Sequence, residues 1–316
     1  MLDRAERPLP GHGEGQGWGG RGGKWRAMVC ALIALLLAAA GPACALTLVD
    51  MIGREVVLAG PPRRIVSLVP SATELIYALG GEDRLVGRTD FCDFPPAARD
   101  KPSVGGMISP SLETIASLKP DLVIATTSGN RLETFAKLQQ IGIPVYAVHA
   151  HRVSDMLDAA RRLAELTGRQ AALTPFVAGV ERRLFAIANA VRPYPRLRVL
   201  YVLWPEPLLV PASGALLTEL IALAGGDSIT AGERGDYPRF SIEAAVVRAP
   251  EVILLASHGG RSAPVVRDKW DRLASLPAVK NKRLHSIDGS LVHRYGPRVV
   301  DGVETLARAI HPEAFR

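Results

Sequence analysis

Short apolar runs alternate with helix-period segments along most of the chain, and their order is more informative than any single motif. Residues 65–69 and 122–125 are uninterrupted β-rich runs, the pattern of strands buried on both faces. Between them Ser71, Thr73 and Glu74 precede Leu75, Ile76, Ala78 and Leu79, which predicts a helix opened by a capping box and stopped at Gly80-Gly81. The rhythm then repeats. Pro110-Ser111-Leu112-Glu113 opens a helix to Leu118, Lys119-Pro120-Asp121 turns the chain, and 122–126 form a strand. Residues 132–141 have helical spacing and 143–148 read as another strand. Strands alternating with short helices predict a parallel sheet, with ligand-binding loops at the carboxyl ends of its strands. Those loops are 70–71, 89–94, 126–130 and 149–152, predicted to line one mouth.

From 154 to 192 the pattern becomes almost wholly helical. Gly168 marks a stop, and Pro175 predicts a kink or a restart capped by Thr174. A helix of roughly 20 residues would measure ~30 Å, the width of a small domain. The chain then returns to strand and helix, and the stretch GERGDYPRFSIEAAVVRAPEVILLAS parallels VGGMISPSLETIASLKPDLVIAT. Each has a loop, Ser-x-Glu, an apolar helix, a proline turn and a buried strand. The duplication puts Glu113 and Glu243 near the starts of equivalent helices, where a carboxylate suits the helix dipole.

The N-terminus follows different rules. Arg21, Lys24 and Arg26 precede an apolar run at 27–40, and Ala43-Cys44-Ala45 offers small residues, so 1–45 read as an export signal cleaved after Ala45. The run is too short to span a bilayer. Acylation at Cys44 is the weaker alternative, because Gly41-Pro42-Ala43 lacks the apolar residue such signals want three positions earlier. Cleavage would leave Cys92 as the one cysteine, next to Asp93 and without a basic neighbour in sequence to make it reactive.

Composition fits a two-layered aliphatic core: 316 residues, 48% hydrophobic and only 5% aromatic. The net charge of +7 is spread over helical faces such as Arg161-Arg162 and Arg182-Arg183, with no basic run or interleaved aromatics to suggest nucleic acid.

From TLVDMIGREVVLAGPPRRIVSLVPSATE to HRYGPRVVDGVETLARAIHPE the chain resembles the substrate-binding proteins of ABC transporters whose lobes are joined by one long helix, within them the cobalamin-binding branch. The resemblance implies an α/β fold of two lobes, each a mostly parallel sheet flanked by helices, joined by a single long α-helix. It divides the chain into a signal peptide at 1–45, an N-terminal lobe at 46–166, a connecting helix at 167–192 and a C-terminal lobe at 193–316. It implies a periplasmic monomer with no catalytic cofactor and no enzymatic activity. Such a protein carries cobalamin or a related corrinoid to a membrane permease and its cytoplasmic ATPase. In the family, one exposed glutamate per lobe docks onto basic residues of the membrane subunits, and the matching positions are Glu113 and Glu243. Relatives line the cleft with aromatic residues. Phe91 and Tyr237 stand at such positions and Trp204 is a third candidate, while Met107 and Thr126 fall where some relatives carry tryptophan.

Two rival classes remain open at this stage. A ferric siderophore or haem could occupy an aromatic or arginine-lined cleft, with Arg294 and Arg298 as candidate anion partners. Direct metal binding would draw on His149 and His151, which alternate as strand residues do, or on His258, His285 and His293, but no metal-ligand spacing appears. For an enzyme there is no nucleophile elbow, phosphate loop or dinucleotide fingerprint in the right context, and Ser67 and Ser71 lack a recognisable base.

Overall fold

The computed structural model describes residues 45–257 and 263–316; the predicted leader with Cys30 and Cys44, and also His258, lie outside these residues. The described chain opens with an antiparallel ribbon, β1 (Leu46–Val49) and β2 (Glu55–Leu58). The Asp50 carboxylate closes its turn by accepting from the Ile52 and Arg54 amides and the Arg54 guanidinium.

Two four-stranded parallel sheets follow. The first contains β3 (Ile65–Ser67), β4 (Leu85–Arg88), β5 (Leu122–Thr126) and β6 (Val145–Val148), in the order β4-β3-β5-β6. Every residue of β3, β5 and β6 is buried, which is why these segments read as nearly continuous apolar runs, with Ser67 and Thr126 as polar ends. The second half contains β7 (Leu197–Val202), a short ribbon of β8 (Trp204–Pro205) and β9 (Leu208–Leu209), then β10 (Gly226–Ser228), β11 (Val252–Ser257) and β12 (Leu284–Asp288). Its sheet order is β10-β7-β11-β12. Setting the ribbon aside, each sheet runs second-first-third-fourth, so each has a switch point beside its first strand, where open α/β sheets form their ligand crevices.

The duplication extends to single hydrogen bonds. Ser111 caps the Leu112–Ser117 helix by accepting from the Thr114 amide at 3.1 Å, and Ser241 caps the Ile242–Arg248 helix by accepting from the Ala244 amide at 3.0 Å. Both helices exit through a left-handed residue, Lys119 (φ 46°) and Ala249 (φ 43°), directly before a proline. The acid after each proline then ties the incoming first strand: Asp121 accepts from the Arg63 and Arg64 amides, Glu251 from the Arg198 amide.

Between the sheets run the helices Val153–Thr167, ended by Gly168 at φ 70°, and Gln170–Val191. The second is 22 residues long, about 33 Å. It does not restart at Thr174, because it begins at Gln170 and continues through Pro175. Proline there forfeits one backbone bond near the helix start, and packing against Val153–Thr167 on one side and Val299–Ile310 on the other holds the helix together. One apolar cluster runs from Ile65 and Leu75 through Met156, Val180 and Ile187 to Val199, Leu217 and Val303, so the two lobes share a continuous core.

The Pro70–Ala78 helix starts earlier than its polar residues suggest. Val69 is its N-cap without a side-chain bond, and Pro70 sits in the first turn, where its missing N–H costs nothing. Ser71 is therefore inside the helix, and no capping box forms. The Thr73 hydroxyl donates to Ser67 Oγ at 2.9 Å, and Glu74 turns into the boundary between the lobes.

Candidate functional site

The carboxyl ends of β3 and β5, at the first sheet's switch point, open onto a cavity of about 260 Å³. Its walls are largely apolar, with Val69, Leu75, Phe91, Met107 and Val148 from the first lobe. The second lobe supplies His293, Arg294 and Tyr295 from the segment after β12. The four loops expected at one mouth all contribute here: Pro70 and Ser71, Phe91, Thr126 and Ser128, and His149 and Ala150.

Asn130 does not line the cavity itself but ties together segments that do. It is only 5% exposed, and its side chain joins three segments. Its amide nitrogen donates to the Met107 carbonyl at 2.6 Å and the Leu68 carbonyl at 3.3 Å, while its oxygen accepts from the Thr126 amide at 2.8 Å. A Cβ on Gly129 would meet the Met107 methyl group, so a side chain there would require the flexible end of the methionine to move aside.

A second cavity, about 490 Å³, adjoins the first and shares Ser128, His149, His293 and Tyr295 with it. Its other walls include His151, Asp236 and Tyr237. The His149 and His151 rings meet edge to face at 4.3 Å, and His151 meets Tyr295 at 6.3 Å. Tyr237 and Tyr295 both line this cavity, and burial pushes both phenols up. Burial, and then the neighbouring His151, holds the His149 imidazole below its ordinary range against the opposing pull of Asp155 and Asp236. Thr127 Oγ1 lies 3.0 Å from His149 Nδ1, and the Tyr201 hydroxyl 2.9 Å from His293 Nε2. Among the described residues no group of three or more His, Cys, Asp or Glu side chains is placed to hold a metal ion.

Behind the first cavity the lobes meet through charge. The Glu74 side chain is 1% exposed and accepts from Arg298 Nε at 3.0 Å and Nη2 at 2.7 Å, with Arg294 Nη1 at 3.4 Å. Arg294 also donates to Asp93 at 2.7 Å, and the Arg298 guanidinium lies 4.1 Å from the Phe94 ring centre. Arg294 and Arg298 are thus neither solvated surface residues nor uncommitted anion ligands, because carboxylates of the opposite lobe already occupy them. Gly296 permits this approach, since a Cβ there would lie 3.1 Å from Glu74 Oε2.

Phe91, Met107 and Thr126 therefore share one cavity, and Tyr237 lines the adjoining one. Phe91 is 56% exposed on the rim. Trp204 lines neither cavity; it stands on β8, 49% exposed, with its indole N–H donating to the Glu206 carbonyl at 3.0 Å. Its neighbour Leu203 does line the second cavity. Glu113 and Glu243 are exposed away from these walls, each two residues after the serine that caps its helix. Cys92 is buried, with its sulfur 3.2 Å from Thr89 Oγ1, and burial pushes its thiol up. Asn130, Tyr295 and the Glu74 carboxylate that binds Arg294 and Arg298 were not singled out as site residues in the sequence. Only the loop position of Asn130, just after a buried strand, could have flagged it.

The family model described as "Periplasmic binding protein" matches residues 65–291. A vitamin B12-binding protein of Vibrio cholerae is 31% identical over 244 residues, covering 77% of this chain and 87% of the relative. An uncharacterised ABC transporter substrate-binding lipoprotein of Bacillus subtilis is 30% identical over 277 residues, 85% of this chain and 87% of its own length. The crystal structure of the V. cholerae periplasmic vitamin B12-binding protein superposes with a TM-score of 0.70 at 30% identity, over 81% of this chain and 99% of that one. A periplasmic haem-binding protein in complex with two haems gives 0.71 at 26% identity, over 81% and 100%.

Proposed function

The chain belongs to the periplasmic binding protein family, and from that premise we propose that it captures cobalamin or a related corrinoid between its lobes and delivers it to an ABC importer. The observation that carries this reading is the pair of adjoining cavities walled by both lobes, apolar at Phe91, Met107 and Val148, with hydroxyl and imidazole groups opposite. A corrinoid is a large amphipathic disc with amide arms, suited to apolar walls and a few neutral polar partners. The commitment of Arg294 and Arg298 to Glu74 and Asp93 speaks against a ligand recognised by negative charge. Phe91, Met107, Thr126 and Tyr237 are the proposed contacts, with Trp204 at the outer rim beside Leu203.

In the same reading Glu113 and Glu243 dock onto the permease, which works with a cytoplasmic ATPase. The protein acts as a periplasmic monomer released by cleavage after Ala45, with lobes at 46–166 and 193–316 joined by 167–192. Haem is the second reading, favoured by the haem-binding structural relative and by the cleft imidazoles and phenols. Equilibrium dialysis against cyanocobalamin and haemin tests the choice. Saturable retention of the corrinoid alone is expected, and retention of haemin alone would reverse the assignment.

A further inference from the structure

We propose that His149 is an axial ligand for the metal of the captured macrocycle, taking the open coordination position of a corrinoid cobalt; this rests on the corrinoid reading above. A corrin already supplies four equatorial nitrogens, so the protein need supply only one donor. The cleft suits that demand, having no convergent three-residue ion site among the described residues but an imidazole on the wall common to both cavities.

The other donors nearby are less suited. His293 Nε2 is engaged by the Tyr201 hydroxyl, and His151 is set between the His149 and Tyr295 rings. For Tyr237 and Tyr295, burial disfavours the phenolate that would ligate a ferric ion. His149 lines both cavities, and its Nδ1 has the Thr127 hydroxyl behind it. Thr127 Oγ1 can accept its Nδ1–H, the tautomer that leaves the Nε2 lone pair available, as a partner behind a metal-bound histidine does. No redox change is needed: an axial water leaves the cobalt and the imidazole nitrogen takes its place.

The consequence is selectivity for corrinoids whose axial position is exchangeable. The test is a visible-spectrum titration of the purified protein with aquacobinamide, with dicyanocobinamide, whose two axial positions are filled by cyanide, and with haemin. The expected result is an imidazole-for-water spectral change with aquacobinamide and about tenfold or more tighter binding than for the dicyano form. His149→Ala loses both while still binding dicyanocobinamide, which reports that its cleft is intact, and added imidazole restores the spectral change. Thr127→Val weakens aquacobinamide binding by about tenfold. Aquacobinamide binding without the spectral change, or an unaltered change in His149→Ala, would overturn the ligation while leaving corrinoid capture standing. A His149-dependent spectrum with haemin alone would move the role to iron and overturn the cobalt assignment. Failure of the wild-type protein to bind either cobinamide would overturn this inference, and would overturn the corrinoid reading with it where cyanocobalamin is not bound either.

Discussion

Replacing Glu74 with Gln should destabilise the protein by about 3 kcal/mol. The carboxylate is almost wholly buried, and Arg298, with 14% of its side chain exposed, binds it through two nitrogens. Removing one partner of a buried ion pair leaves the other charge uncompensated, at a typical cost of about 3–5 kcal/mol. The lower end applies here because Arg298 keeps the Phe94 ring, which offsets about 0.5–1 kcal/mol. For roughly 270 residues with an unfolding entropy of about 2.1 cal/mol/K per residue, that loss lowers Tm by ~5 °C. Differential scanning calorimetry reads the shift directly. Replacing Glu74, Arg294 and Arg298 together by Met should recover much of it, because an apolar core of similar volume avoids the desolvation of the ions. A Tm of Glu74→Gln within about 1 °C of wild type would refute the reasoning, since the measured cost would then be that of an exposed pair.

Phe91→Ala should remove roughly 100 Å² of apolar contact with a bound corrinoid, about 2.5 kcal/mol or nearly two decades in Kd by isothermal titration, whereas Trp204→Ala, outside both cavities, should change Kd less. Reversing Glu113 or Glu243 to Lys should leave ligand affinity intact and weaken capture by the permease complex; pull-down and titration on the same variants separate the roles, with about 2–5 kcal/mol at stake for a buried charge pair and much less for a rim pair. Burial, then Arg283 and Arg267, holds the His285 imidazole below its ordinary range, so the unfolded chain takes up the proton first as pH falls. The urea midpoint should accordingly drop between about pH 7 and pH 5, and the drop should shrink in His285→Gln.

The legible parts of this protein were those fixed by local sequence. Buried parallel strands such as 122–126 announce themselves as apolar runs, and Ser-x-Glu followed by Lys119-Pro120 or Ala249-Pro250 marks a repeated helix, turn and strand. Local polar signals also misled. Ser71, Thr73 and Glu74 have the composition of a helix start, yet Pro70 begins the helix and Glu74 serves a partner 224 residues away in sequence. Arg294 and Arg298 likewise stood as candidate anion partners for a ligand because nothing local announces the Glu74 carboxylate that binds them. Pro175 suggested a break, but tertiary packing carries the helix past it. In the cleft, the loops that hold Phe91 and Thr126 could be placed because strand ends in a parallel sheet converge, whereas Met107 stood on the family resemblance alone. The Asn130 hub could not, since two of its three partners, Leu68 and Met107, lie 62 and 23 residues away in sequence.

The most direct measurement of the central claim is native mass spectrometry of the purified protein incubated with cobalamin, cobinamide, haemin and a ferric siderophore together. The account predicts one corrinoid retained per chain, with that adduct lost first when Phe91 is truncated. Retention of haemin or the siderophore in preference, with no corrinoid adduct, would contradict it.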